Sequence, residues 1–197
     1  FVFSFSMLIP ISMSFLRGTD PSRFFYSFGI TAIFGWLLNR AYHSKNTEVV
    51  IHRKDSLLIV VLTWFGISFF GSLPFLLSHV FGPISLDAFI NALFESSSGF
   101  TTTGASVMQH IGSAPYDILL WRALTQWVGG MGIILLVVAV LPFLGVGGLE
   151  LYGAEASGPT TDKIQPRVTQ TAKSLWLAYI ILTVLCVSAL AFSGMPF

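Results

Sequence analysis

The sequence predicts an all-α membrane protein, and three observations carry that prediction. Of its 197 residues, 54% are hydrophobic and only 10% charged, against about 25% charged in ordinary soluble domains. The mean hydropathy is +0.78. The apolar residues also fall in long runs free of charge, as bilayer-crossing helices require. The same figures exclude other classes. A net charge of +1 leaves no basic face for a phosphate backbone, so no nucleic-acid partner is expected. Aromatic residues at 15%, with 19 Phe, do not fit a disordered chain. The single cysteine, Cys186, excludes an internal disulfide and a multi-cysteine metal site.

A helix rises 1.5 Å per residue, so about 20 residues cross a hydrocarbon core of about 30 Å. Five charge-free stretches reach or approach that length: Phe1 to Leu16, Phe24 to Asn39, Ser56 to His79, Ala123 to Leu149 and Ser174 to Met195. The first two are short and the last three long enough to span with tilt. Lys and Arg in short loops set orientation. Arg40, Lys45, Arg53 and Lys54 precede the third span, and Lys163, Arg167 and Lys173 precede the fifth, so both loops are expected on the cytoplasmic side. His43 and His52 read as solvated residues of the basic loop rather than as metal ligands. The chain starts with Phe and shows no basic n-region before its first apolar run, and it stops just after another. It reads as a piece of a longer protein.

Between the third and fourth spans, Ser85 to Phe100 has a helical pattern, with Leu86, Phe89, Ile90, Leu93 and Phe94 on one face. Ser85 can cap it and Asp87 suits its first turn. At about 12 residues, or about 18 Å, it is half a membrane thick. The flanking basic loops require it to enter and leave on the outer side, which is the re-entrant geometry allowed where backbone is buried in protein or lines water.

Gly99-Phe100-Thr101-Thr102-Thr103-Gly104-Ala105-Ser106 follows. Three β-branched residues favour extended backbone, and Gly104 can take positive φ. Such a strand can turn carbonyl oxygens to one side in place of a cation's hydration shell, with the negative end of the preceding helix behind it. The hydroxyls of Thr101, Thr102 and Thr103 can anchor the strand or add ligands. The stretch reads equally as a polar loop joining two spans.

Phe94-Glu95-Ser96-Ser97-Ser98-Gly99-Phe100-Thr101-Thr102-Thr103-Gly104-Ala105 resembles the first pore loop of the Trk/Ktr potassium-uptake permeases of TrkH/TrkG type. Trp121-Arg122-Ala123-Leu124-Thr125-Gln126-Trp127-Val128-Gly129-Gly130-Met131-Gly132 is similar to the start of that family's next helix. Glu155 to Pro159 and Lys163 to Arg167 resemble its following cytoplasmic loop. The resemblance implies two leading helices (1–52, with the basic loop), one helix–pore loop–helix repeat (53–149), a cytoplasmic loop (150–172) and the first helix of a second repeat (173–197). It implies potassium as the transported ion, no cofactor, and a filter formed by the backbone carbonyls of Thr101, Thr102, Thr103 and Gly104, supported by Glu95, Ser98, Gly99 and Ala105. It further implies a bacterial inner-membrane, multi-pass location, a cytoplasmic nucleotide-binding regulatory partner, and a homodimer of the full-length chain. One such loop would supply about a quarter of a fourfold carbonyl ring.

Other residues carry paired readings. Glu95 sits near the C-terminal end of the short helix, where the dipole disfavours it. A brace to the hydroxyls of Ser96, Ser97 and Ser98 ranks ahead of a direct ion ligand. Arg122 can pair with Asp117, Glu95 or Asp87, or snorkel to headgroups. Asp117 reads as a helix cap. Gly129, Gly130 and Gly132 suit close helix packing ahead of a hinge. An enzyme in the bilayer would need convergent acid–base groups at matched depth; none is visible, and His79 and His110 fall at the outer boundary. A structural membrane subunit without its own ion path is the alternative to a conducting one.

Overall fold

The computed structural model describes residues 2–42, 53–109, 111–140 and 164–194. All regular structure among these is helical. A 3-10 turn, Val2–Met7, leads into α1 (Leu8–Arg17). Then come α2 (Ser22–Tyr42), α3 (Arg53–Leu77), α4 (Leu86–Phe100), a short 3-10 turn at Ile111–Ser113, α5 (Tyr116–Val140) and α6 (Ile164–Phe192). The chain divides into two units, Phe1–Gly130 and Met131–Phe197. His43, Lys45, His52, His110 and residues 141–163, which include the Glu155 to Pro159 motif and Lys163, lie outside the described residues.

Helix α1 ends where Gly18 adopts φ 67° and the Thr19 N–H returns to the Ser14 carbonyl, the closure that a left-handed residue permits. Asp20 then starts the next helix. Its carboxylate accepts from the Ser22 hydroxyl at 2.7 Å and the Ser22 backbone N–H at 2.9 Å, an Asx turn. These two bonds hold its carboxyl below the ordinary carboxylate range. Helix α3 contains Pro74, which cannot donate to the Phe70 carbonyl and weakens the helix there. One residue after Phe70, the Gly71 carbonyl accepts from the indole N–H of Trp121, at 3.0 Å.

Two helices depart from the charge-free stretches, each for a physical reason. Helix α5 begins at Tyr116 rather than at Ala123, because Arg122 is neutralised by a carboxylate inside the protein and marks no boundary. Helix α6 begins at Ile164, before Lys173; Pro166 fits its first turn, where no N–H is needed. Helix α4 extends to 15 residues, taking in the serines and Gly99. Two segments among the described residues combine the length and apolarity needed to cross a membrane, Leu58–Leu77 and Gln170–Phe192. In α6, Leu177, Leu182, Leu185 and Phe192 are all exposed, as apolar residues of a lipid-facing span are.

The core of the first unit gathers Met7, Ile11, Phe24, Phe75, Ala92, Met108, Ile118 and Trp121. Helix α4 packs with its small and polar face inward. Ala88, Ala92, Glu95, Ser96 and Gly99 are buried, while Leu86, Ile90 and Phe94 are exposed. That inversion suits a membrane, where small residues let helices approach and apolar bulk gains nothing by turning inward.

Candidate functional site

The end of α4 builds the site. The Thr102 N–H donates to the Gly99 carbonyl and the Thr103 N–H to the Ser98 carbonyl, at 2.9 and 3.0 Å. This is a Schellman closure, with Thr102 in the left-handed position that glycine normally fills. Thr102 has φ 55°, an outlier for a β-branched residue, and its strain is about 1–2 kcal/mol. The extended strand expected from three β-branched residues is therefore not what forms: helix closure overrides propensity at Thr101 and Thr102. Strain of this kind persists only where surrounding structure enforces it. Thr102→Gly is expected to raise unfolding stability in detergent by about 1 kcal/mol, net of glycine's backbone entropy, as read from the thermal unfolding midpoint.

The backbone here alternates. Thr101 has φ −81°, Thr102 55°, and Gly104 75°, with Thr103 negative between them. No peptide among the described residues is cis. In a trans peptide the C=O lies antiparallel to the following N–H. Because the N–H groups of Thr102 and Thr103 point back at α4, the carbonyls of Thr101 and Thr102 point away from it. The Thr101 carbonyl accepts from the Thr102 hydroxyl at 2.7 Å. Among the described residues, no hydrogen bond reaches the carbonyls of Thr102, Thr103 or Gly104. The threonine hydroxyls anchor the turn: that of Thr101 donates to the Ser97 carbonyl at 2.8 Å and lies 2.8 Å from that of Thr103.

Two side chains of α4 grip the segment beyond Gly104. The Ser98 hydroxyl donates to the Ala105 carbonyl at 2.6 Å. The Glu95 carboxylate, 2% exposed, accepts from the Ser106 hydroxyl at 3.0 Å, the Val107 N–H at 3.1 Å and Arg122 Nε at 2.7 Å. Glu95 is thus a brace, but its partners are not the Ser96–Ser98 hydroxyls: Ser98 is engaged with the Ala105 carbonyl and Ser96 Oγ has no hydrogen-bond partner among the described residues. Of the three acids open to Arg122, Glu95 is the one it meets. Asp117 does not cap α5: its carboxylate accepts from the Ser14 hydroxyl at 3.0 Å and sits 3.4 Å from Arg23 Nε.

Glycines bring the neighbouring helices onto α4. A Cβ on Gly129 would collide with the Phe100 carbonyl, one on Gly99 with the Thr125 hydroxyl, and one on Gly71 with the Phe100 ring and, at 2.8 Å, with Ser96 Oγ. The α5 backbone therefore lies directly against the residue before Thr101. Gly130 and Gly132 are partly buried on the same helix. Sequence reasoning missed Gly71, Ser106, Val107, Trp121 and Thr125. Their roles depend on distant partners: Gly71, Trp121 and Thr125 meet theirs across helices, and Ser106 and Val107 meet Glu95 from the segment after α4.

A family model described as TrkH, cation transport protein, matches residues 21–194. Among curated proteins, the Trk system potassium uptake protein TrkH of Salmonella typhimurium is 42% identical over 201 residues, covering 99% of this chain and 40% of that protein. TrkG of Escherichia coli K12 is 36% identical over 200 residues, covering 99% and 39%. TrkI of Halomonas elongata is 41% identical over 138 residues, covering 70% and 27%. The chain thus spans 40% or less of the length of these three relatives. No solved structure matches it.

Proposed function

The chain belongs to the TrkH family of cation transport proteins, and from that premise we propose that it forms part of a pore through which potassium is taken up across a bacterial inner membrane. In this reading α4 is a re-entrant half-helix between the spans α3 and α5, and Thr101, Thr102, Thr103 and Gly104 offer backbone carbonyls to a dehydrated potassium ion. The observation that carries it is the fixed alternation of φ over these four residues. The N–H groups of Thr101, Thr102 and Thr103 are consumed by the end of α4, and the carbonyls of Thr102, Thr103 and Gly104 are left to replace water around a cation. Ser98 and Glu95, by holding Ala105, Ser106 and Val107, fix the far end of the segment. Gly99 and Gly129 fix the near end.

Neutral carbonyl ligands fit a conducting site, because a direct carboxylate would hold the ion too firmly for release. Glu95, engaged by three donors, the Ser106 hydroxyl, the Val107 N–H and Arg122 Nε, supports the ring without joining it. The names of the relatives, which are potassium uptake proteins, support potassium as the cargo. The proposal extends to a multi-pass chain that pairs as a homodimer and docks a nucleotide-binding regulatory subunit on its cytoplasmic face.

Gly104 is the position to test. Its φ of 75° suits glycine, and a side chain there strains the last carbonyl of the set. Gly104→Ser in the full-length protein is expected to lower the preference for potassium over sodium by about tenfold, the equivalent of about 1.4 kcal/mol, in whole-cell uptake of the two ions. An unchanged ratio in properly inserted protein removes the filter assignment.

A further inference from the structure

We infer that the leading segment, residues 2–42, is a positioning element for ion selection, acting through a buried ion pair between Arg23 and Asp117. The inference rests on the filter reading above. Asp117 is fully buried in the first turn of α5. Its Oδ2 accepts from the Ser14 hydroxyl of α1 at 3.0 Å and sits 3.4 Å from Arg23 Nε of α2. Its Oδ1 has no hydrogen-bond partner among the described residues. Arg23 Nε also donates to the Asp20 carbonyl at 3.1 Å, so the turn between α1 and α2 fixes the cation while α1 carries the hydroxyl.

Three further contacts come from the same segment. The Arg17 guanidinium lies 4.8 Å from the centre of the Tyr116 ring. Phe24 meets Trp121 edge-on at 6.1 Å. Phe3 meets Phe100, the residue before Thr101, at 5.7 Å. The leading segment therefore grips both α5 and the end of α4, on either side of the residues that offer carbonyls.

The route to the ion is short. Asp117 and Arg122 are five residues apart on one helix, about 7.5 Å along its axis. Arg122 holds Glu95, and Glu95 holds Ser106 and Val107 just past Gly104. A shift of the α5 start is passed through a rigid helix to the far end of the carbonyl segment. Packing alone does not call for a charge at position 117. A buried ion pair contributes little net stability, but it does enforce one register of the helices that carry it. The incomplete pairing of Asp117 fits a geometric role of this kind.

The test measures the potassium-to-sodium uptake ratio in the full-length protein for Asp117→Asn, Arg23→Met and the neutral pair D117N/R23M, with Gly104→Ser alongside and membrane-inserted protein quantified for each. Both single variants are expected to lower the ratio by about threefold or more, with the affinity for potassium weakened as well. A merely structural tie would reduce the amount of inserted protein and leave the ratio per molecule unchanged; that result overturns the inference when Gly104→Ser has lowered the ratio. If Gly104→Ser leaves the ratio unchanged, it is the filter reading that falls. Should a single-charge variant fail to insert, D117N/R23M, which strands no charge, and Ser14→Ala, which removes one bond to Asp117, decide by the same ratio.

Discussion

Arg122→Leu is expected to destabilise the protein by about 3–5 kcal/mol, the range for removing one partner from a buried ion pair. Glu95 is 2% exposed and its carboxylate takes its shortest contact, 2.7 Å, from Arg122 Nε. Without the guanidinium, a buried negative charge is left near the C-terminal end of α4, which the helix dipole also disfavours. The Ser106 hydroxyl and the Val107 N–H stay in place but are neutral donors and cannot compensate a charge. Glu95→Gln alone is expected to be milder, since its amide oxygen can still accept from Val107. The double variant E95Q/R122L strands no charge and is expected to recover at least about 2 kcal/mol relative to the sum of the single effects, a coupling typical of residues in direct contact. Unfolding midpoints in detergent for the four proteins measure the cycle. Additive effects would mean that the pair does not act as a unit.

Gly129→Ala is expected to cost about 3 kcal/mol, the upper end for overpacking, because its Cβ would fall on the backbone carbonyl of Phe100. Backbone at that point cannot yield without moving Thr101. The comparison with other glycines makes the expectation specific. At Gly99 the added carbon meets the Thr125 side chain, which can give way in part, so a smaller loss is expected. At Gly66 of α3 nothing lies within 4 Å, and alanine is expected to be neutral or to gain up to about 1 kcal/mol from helix propensity. The order of thermal midpoints is therefore Gly66→Ala highest, then Gly99→Ala, then Gly129→Ala. A reversal between the last two would place the helix contact elsewhere. Gly129→Ala is also expected to lower potassium preference, since the displaced group is the peptide leading into Thr101.

Much of the architecture was legible because membrane segments are written in composition. Long apolar runs without charge located α3 and α6 to within a few residues at one end. Ser85 announced the start of α4, and its side chain does accept from the Ala88 N–H. Boundaries failed where a charge was neutralised inside the protein: Arg122 looked like the edge of a span and is instead inside α5. The local conformation of the site failed for a different reason. β-Branching at Thr101, Thr102 and Thr103 argues for extended backbone, but the unpaired carbonyls at the end of α4 recruit the N–H groups of these same residues, and that closure forces Thr102 to positive φ.

The sequence by itself determined the class, the helical segments and the stretch where chemistry is expected, because each depends on composition or on neighbours a few residues away. Only the tertiary structure decided which groups hold that stretch. Glu95 lies 11 residues from Ser106 and 27 from Arg122; Asp117 lies 103 residues from Ser14; Gly129 meets Phe100 across two helices. A charge or a gap in side-chain volume carries no address in the chain. Its partner is set by which helices cross, and in a low-dielectric interior that pairing fixes whether a carboxylate is an ion ligand, a cap or a brace.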